Sequence, residues 1–74
     1  MRHDANLIGR KVARLRYQQG LSQNLLVAKL QVLNCGITRD VLSNIELQRY
    51  AATDKHVYFL AKGLKVEIGE LYRP

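Results

Sequence analysis

The chain has one cysteine, Cys35, one proline, Pro74, and half as many acidic as basic residues. A single cysteine closes no internal disulfide. With no signal-peptide pattern before it, a lone thiol points to a reducing, cytoplasmic setting. His3, Cys35 and His56 stand too far apart for a metal-ligand spacing, so neither a metal nor another cofactor is expected. The proline is the last residue and breaks no helix from within. No apolar run approaches the roughly 20 residues of a membrane span, and no segment alternates with the period of a strand. Paired carboxylates, a serine or cysteine near a histidine, and a phosphate-binding glycine loop are all missing, so the chain does not read as an enzyme. There is no internal repeat, no low-complexity segment and no linker.

What is present is a 74-residue chain, one domain spanning 1–74. A chain of this size buries only about 60% of its unfolded surface. Without a disulfide or metal, its stability rests on helix packing, a partner subunit, or both. Hydrophobic residues make up 47% and recur regularly, which excludes a disordered chain. Twelve Lys and Arg against six Asp and Glu give a net charge of +6 and a pI near 9.9. That excess favours a polyanionic partner, nucleic acid or anionic lipid, although many small soluble proteins are basic.

The pattern divides into five helical segments, at about 5–18, 23–34, 39–46, 54–63 and 67–72, so the expected fold class is all-α. From Ala5 to Gln18, the residues Leu7, Ile8, Val12 and Leu15 form an apolar stripe opposite Arg10 and Arg14, and Gly20 supplies a stop. Ser22 caps the second segment. There Leu26, Leu30 and Leu33 form one stripe and Leu25, Ala28 and Val32 another beside it, the mark of a helix that is buried or covered by a second chain. Asn34 to Gly36 read as a turn, and Thr38 and Thr53 cap the third and fourth segments. Val57, Leu60, Ala61 and Leu64 take the i, i+3, i+4, i+7 positions of the fourth, leaving Phe59 outward. Ile68, Leu71 and Tyr72 belong to the last turn.

The stretch GITRDVLSNIE, 36–46, has two unlike sides. Val41, Leu42 and Ile45 share one, while Arg39, Asp40, Ser43 and Asn44 gather on the other. Two helices joined by a short turn, the second polar on its outer face, make a helix-turn-helix layout. The major groove admits one α-helix, whose side chains meet base edges. In that setting Arg39 forks onto guanine, Asn44 pairs with adenine, Asp40 accepts from cytosine and Ser43 serves several bases. Thr38 suits a phosphate oxygen or an early base. A solvated face on a helical bundle carries the same residue types. The basic balance and Gln23, in the first turn of the second segment where free N–H groups favour a phosphate, tip the reading towards DNA.

The runs RKVARLRYQQGLSQNLLVAKL, GITRDVLSNIE and LAKGLKVEIGELY resemble the phage repressor and Cro-like (XRE) family of helix-turn-helix regulators, from about Leu7 to Tyr72. The resemblance implies a lambda-repressor-like five-helix bundle binding operator DNA as a dimer, with the third helix in the major groove. It implies a phosphate contact for Gln23 and base-reading positions at Arg39, Asp40 and Asn44, flanked by Thr38 and Ser43. Arg49 matches a basic loop position that touches backbone. It also implies an ion pair between Arg16, at the edge of an apolar stripe, and Glu46, since an unpaired buried charge is costly. Three features depart from the family. Gln31 to Cys35 look inserted, Val27 stands where alanine is preferred, and Gln48 and Lys65 stand where glycine is preferred.

Phe59, Leu71 and Tyr72 are expected to leave an apolar surface that a second copy covers, with Leu71 and Tyr72 also completing the small core. A twofold homodimer sets two third helices about 34 Å apart along a palindromic operator. No separate ligand-binding domain fits, so no small-molecule ligand is expected. The alternative reading is a helix-turn-helix fold used for protein contact, antitoxin-like or antirepressor-like, for which the doubly apolar second helix speaks.

Overall fold

Helix boundaries in this chain follow from a few polar side chains and from residues of left-handed backbone. The computed structural model describes residues 6–73. They form α1 (Gly9–Gln18), α2 (Gln23–Val32), α3 (Arg39–Glu46), α4 (Asp54–Gly63) and α5 (Ile68–Leu71), with no strand among the described residues. Hydroxyls start three of them. Ser22 Oγ accepts from the Leu25 N–H at 3.0 Å, Thr38 Oγ1 from Val41 at 3.3 Å, and Thr53 Oγ1 from His56 at 3.2 Å. Each gives a partner to an amide that the helix itself leaves unpaired.

The first four helices all stop in the same way. Gly20, Asn34, Gln48 and Lys65 take φ of 69°, 61°, 60° and 57°. In each case the amide after the left-handed residue reaches back to a carbonyl of the last turn: Leu21 to Arg16, Cys35 to Leu30, Arg49 to Asn44 and Val66 to Ala61. This is the Schellman closure. Three of the four residues are not glycine, and each carries a left-handed strain of roughly 1 kcal/mol, least for asparagine.

α3 packs against α1 and α2, and α4 against α2 and α5. Their shared core contains Val12, Leu26, Leu30, Leu42, Ile45, Leu60 and Leu64, all fully buried. Two glycines permit the closest approaches. A side chain at Gly9 would collide with the backbone carbonyl of Ile45, so α1 crosses the end of α3 at bare backbone, and one at Gly63 would come within 2.9 Å of Leu30. The described residues fill 29 × 22 × 21 Å. No helix among them is long and apolar enough to cross a membrane.

Several expectations are corrected. α1 begins at Gly9 rather than Ala5, which lies outside the described residues. Asn6 is buried and accepts from the Gly9 N–H through Oδ1 at 2.9 Å, so it precedes the helix instead of joining it. Leu7 therefore leaves the apolar stripe and is 72% exposed. α2 ends at Val32, two residues before Asn34, because Asn34 adopts the left-handed closing conformation. Between α2 and α3, Cys35 and Ile37 enter the core. α5 is shorter than 67–72, with Glu67 and Tyr72 serving as its flanking caps. Phe59 does not point outward. It is half-buried against the core, edge-on to Tyr58 with ring centroids 5.2 Å apart.

Candidate nucleic-acid interface

The outer face of α3 is fastened from beneath by a chain of charge-assisted hydrogen bonds. Arg16 Nε donates to Glu46 Oε2 at 2.7 Å and Nη2 donates to Glu46 Oε1 at 2.9 Å. Its third nitrogen, Nη1, donates to the Leu21 carbonyl at 2.9 Å, in the turn between α1 and α2. Both charged side chains are almost fully buried, at 7% and 6% exposure. Hydrogen bonding to Glu46 raises Arg16 above its ordinary pKa, against the opposing effect of burial. The fork-to-carboxylate geometry is the strong, directional form of an ion pair. Gln23 Nε2 donates to the same Glu46 Oε1 at 3.1 Å, so one carboxylate receives side chains from α1 and α2 while riding on α3.

A second anchor holds the opposite flank of that helix end. Asn6 Nδ2 donates to the carbonyls of Ile45 at 2.8 Å and Tyr50 at 2.9 Å, and Gln48 Nε2 donates to the Asn6 carbonyl at 3.1 Å. These bonds tie the segment before α1 to the last turn of α3 and to the loop that follows it.

With α3 pinned at its end, its start and outer side remain in solvent. Thr38, Arg39 and Asp40 are exposed, and Ser43 and Asn44 are half-exposed. Arg39 has no carboxylate partner among the described residues. An open cleft of about 780 Å³ runs between the turn after α1, the first turn of α2 and the side of α3, and Gln23, Arg39 and Ser43 line it together. Asp40, Asn44, Thr38 and Arg49 lie outside that cleft. The two halves of the candidate surface therefore adjoin at Gln23 and Arg39.

Two expected contacts are committed inside the protein. The amide of Gln23 is held by Glu46. Asn44 Nδ2 donates to the Asp40 carbonyl one turn back, at 2.8 Å, folding the amide onto its own helix. Arg49 is exposed, and its backbone amide closes the end of α3. Of the three residues expected at a subunit contact, Leu71 is only 1% exposed and belongs to the core. Phe59 is half-buried, and Tyr72 is the one left open, at 53%.

Sequence reasoning missed three contributors. Tyr17, 72% exposed, forms a wall of the cleft, and the Arg16 guanidinium lies 4.5 Å from its ring centre. Leu47, read as loop, lines the cleft beside Ser43. Asn6 was placed inside a helix. Its amide instead reaches the distant carbonyls of Ile45 and Tyr50, a role that its sequence neighbours do not mark. No protein-family model, curated protein or solved structure matches the chain.

Proposed function

We propose that this chain is a sequence-specific, double-stranded-DNA-binding transcriptional regulator. In this reading α2 and α3 form a helix-turn-helix in a lambda-repressor-like bundle, α3 enters the major groove, and the protein is a binding module and not an enzyme. The observation that carries the reading is the polar side of α3, exposed at Thr38, Arg39 and Asp40, half-exposed at Ser43 and Asn44, and continuous with the first turn of α2 through Gln23 and Arg39. Arg39 and Asp40 are the base-reading residues at the helix start, with Ser43 and Asn44 a turn later. Asn44 reads adenine only after releasing its bond to Asp40, at a cost of about 1 kcal/mol. Thr38, Gln23 and Arg49 face phosphates, and the net charge of +6 supplies the long-range attraction.

Palindromic recognition requires two copies about 34 Å apart. We assign the subunit contact to the neighbourhood of Tyr72, whose exposed ring lines a dent with exposed Leu7; of the basic residues around it, Lys11 and Arg73 are paired with Glu70, and Arg10 and Arg14 remain. Light scattering at micromolar concentration tests this point, and a single species of monomer mass counts against it.

A gel shift with mixed genomic fragments tests the reading as a whole. A defined fragment is expected to shift, with affinity falling steeply as salt rises. Sequence-blind, weak retention instead favours the protein-contact alternative, for which the exposed apolar residues of α2 speak.

A further inference from the structure

The side of α2 that faces away from the core is neither polar nor covered. Leu25 and Val32 are 54% and 82% exposed, and Ala28 between them is exposed as well. The spacing i, i+3, i+7 sets the three on one line about 10 Å long. At its C-terminal end this line runs into a dent of about 210 Å³, floored by Leu33 and Gly63 and rimmed by Lys29, Lys62 and Lys65. None of these lysines has a carboxylate within ion-pair distance among the described residues.

We propose that this face is a docking site for an acidic, amphipathic helical segment of a partner protein. One apolar side chain of the segment enters the dent, others lie along Leu25 and Ala28, and its carboxylates meet the three lysines. The arrangement is that of a helix laid into a groove. Favourable placement of Lys29 and Lys62 in the last turns of their helices accounts for those charges, but not for two bulky apolar side chains left in water beside them.

Charge complementarity selects the occupant. A second copy of this chain is the poorer occupant, because pairing the face with itself sets lysine against lysine on a chain already carrying +6. Phosphates of a nucleic acid satisfy the lysines but bring nothing apolar to the dent. A bilayer offers anionic headgroups, yet binding there takes a broad apolar face rich in large side chains, and this face has only two. A concave dent suits a single protruding side chain. The proposal does not depend on DNA binding, since none of its residues belongs to the α3 surface.

The test is fluorescence anisotropy with the full chain and a fluorescein-labelled helical peptide carrying leucines at i, i+3 and i+7 and glutamates on its other faces. Saturable binding is expected, weakened about tenfold by Leu25→Ser with Val32→Ser, by Lys62→Glu, or by scrambling the peptide so that its leucines share no face; tenfold corresponds to the burial of roughly one side chain. Equal binding of the scrambled peptide, or affinity unchanged by the substitutions, overturns the proposal. Sedimentation with phosphatidylserine–phosphatidylcholine vesicles that is lost in Val32→Ser, without peptide binding, also overturns it and assigns the face to lipid. All the substituted side chains are exposed, circular dichroism checks their folding, and the peptide comparison needs no variant. The gel shift of the wild-type chain reads the DNA function separately.

Discussion

The guanidinium of Arg16 meets the carboxylate of Glu46 through two parallel hydrogen bonds, 30 residues apart in sequence and with both side chains nearly excluded from solvent. Removing one partner strands the other charge in the interior. Arg16→Ala and Glu46→Ala are each expected to destabilise by about 3–5 kcal/mol, and the double variant by clearly less than the sum. Urea denaturation of the four proteins of the cycle measures the coupling. A coupling near zero would show that the pair contributes nothing.

Gly9 has a sharper requirement. A methyl group there collides with main chain, the Ile45 carbonyl, which cannot rotate away as a side chain does. Gly9→Ala is expected to cost about 3 kcal/mol through separation of α1 from α3. Gly69→Ala, which meets nothing within 4 Å, serves as the control and should be neutral or slightly stabilising. Thermal melts of the two variants compare them directly.

Lys65 and Gln48 share a left-handed backbone but differ in what their side chains do. Lys65 is exposed, so Lys65→Gly is expected to gain about 1 kcal/mol by relieving strain. Gln48 is buried and bonds the Asn6 carbonyl. Gln48→Gly is therefore expected to lose about 1 kcal/mol or more despite the same relief. Denaturation midpoints of opposite sign distinguish the two.

His56 links stability to acidity. Burial, with a smaller contribution from the charge of Lys55, lowers its pKa below the ordinary 6.5. Its neutral Nδ1 accepts from the Thr53 N–H at 3.3 Å, a bond the protonated ring cannot make. The folded chain thus takes up a proton less readily than the unfolded one. The stability His56 contributes is complete above the unfolded value and is lost as pH falls through the lower, folded value. His56→Gln preserves the reciprocal cap without titrating, so melting temperatures measured from neutral to mildly acidic pH should fall less steeply for the variant.

On DNA, the two kinds of contact separate. Arg39→Ala is expected to relax preference at one base pair, worth about 1–3 kcal/mol, whereas Arg49→Ala should weaken all sequences alike and reduce the salt slope by about one. Quantitative shifts over a panel of operator variants read both effects. An unchanged ranking with Arg39→Ala would remove α3 from the major groove.

The limits of α3 and α4 were legible because Thr38 and Thr53 are local signals: a hydroxyl three residues before an amide needs no tertiary context to cap it. The start of α1 was not, since Asn6 turns its amide to carbonyls about 40 residues away, and nothing in its neighbours announces that. The polar side of α3 followed from helical period alone. The use of Gln23 and Asn44 within the protein did not, because side-chain torsions are chosen by acceptors that only the folded chain assembles. Leu71 is expected both in the core and at a subunit contact, and its burial bears out only the core role. A one-turn helix has too few residues for periodicity to separate inside from outside.

The oxygen of Glu46 that Arg16 and Gln23 share binds three segments of the chain into one rigid seat. The side chains of Arg39 and Asp40 bond to nothing else among the described residues, so substitutions there leave the seat intact. A change at position 23, by contrast, disturbs a carboxylate on which α1 also depends, so under the proposed function new specificities arise with least disruption from the free end of α3.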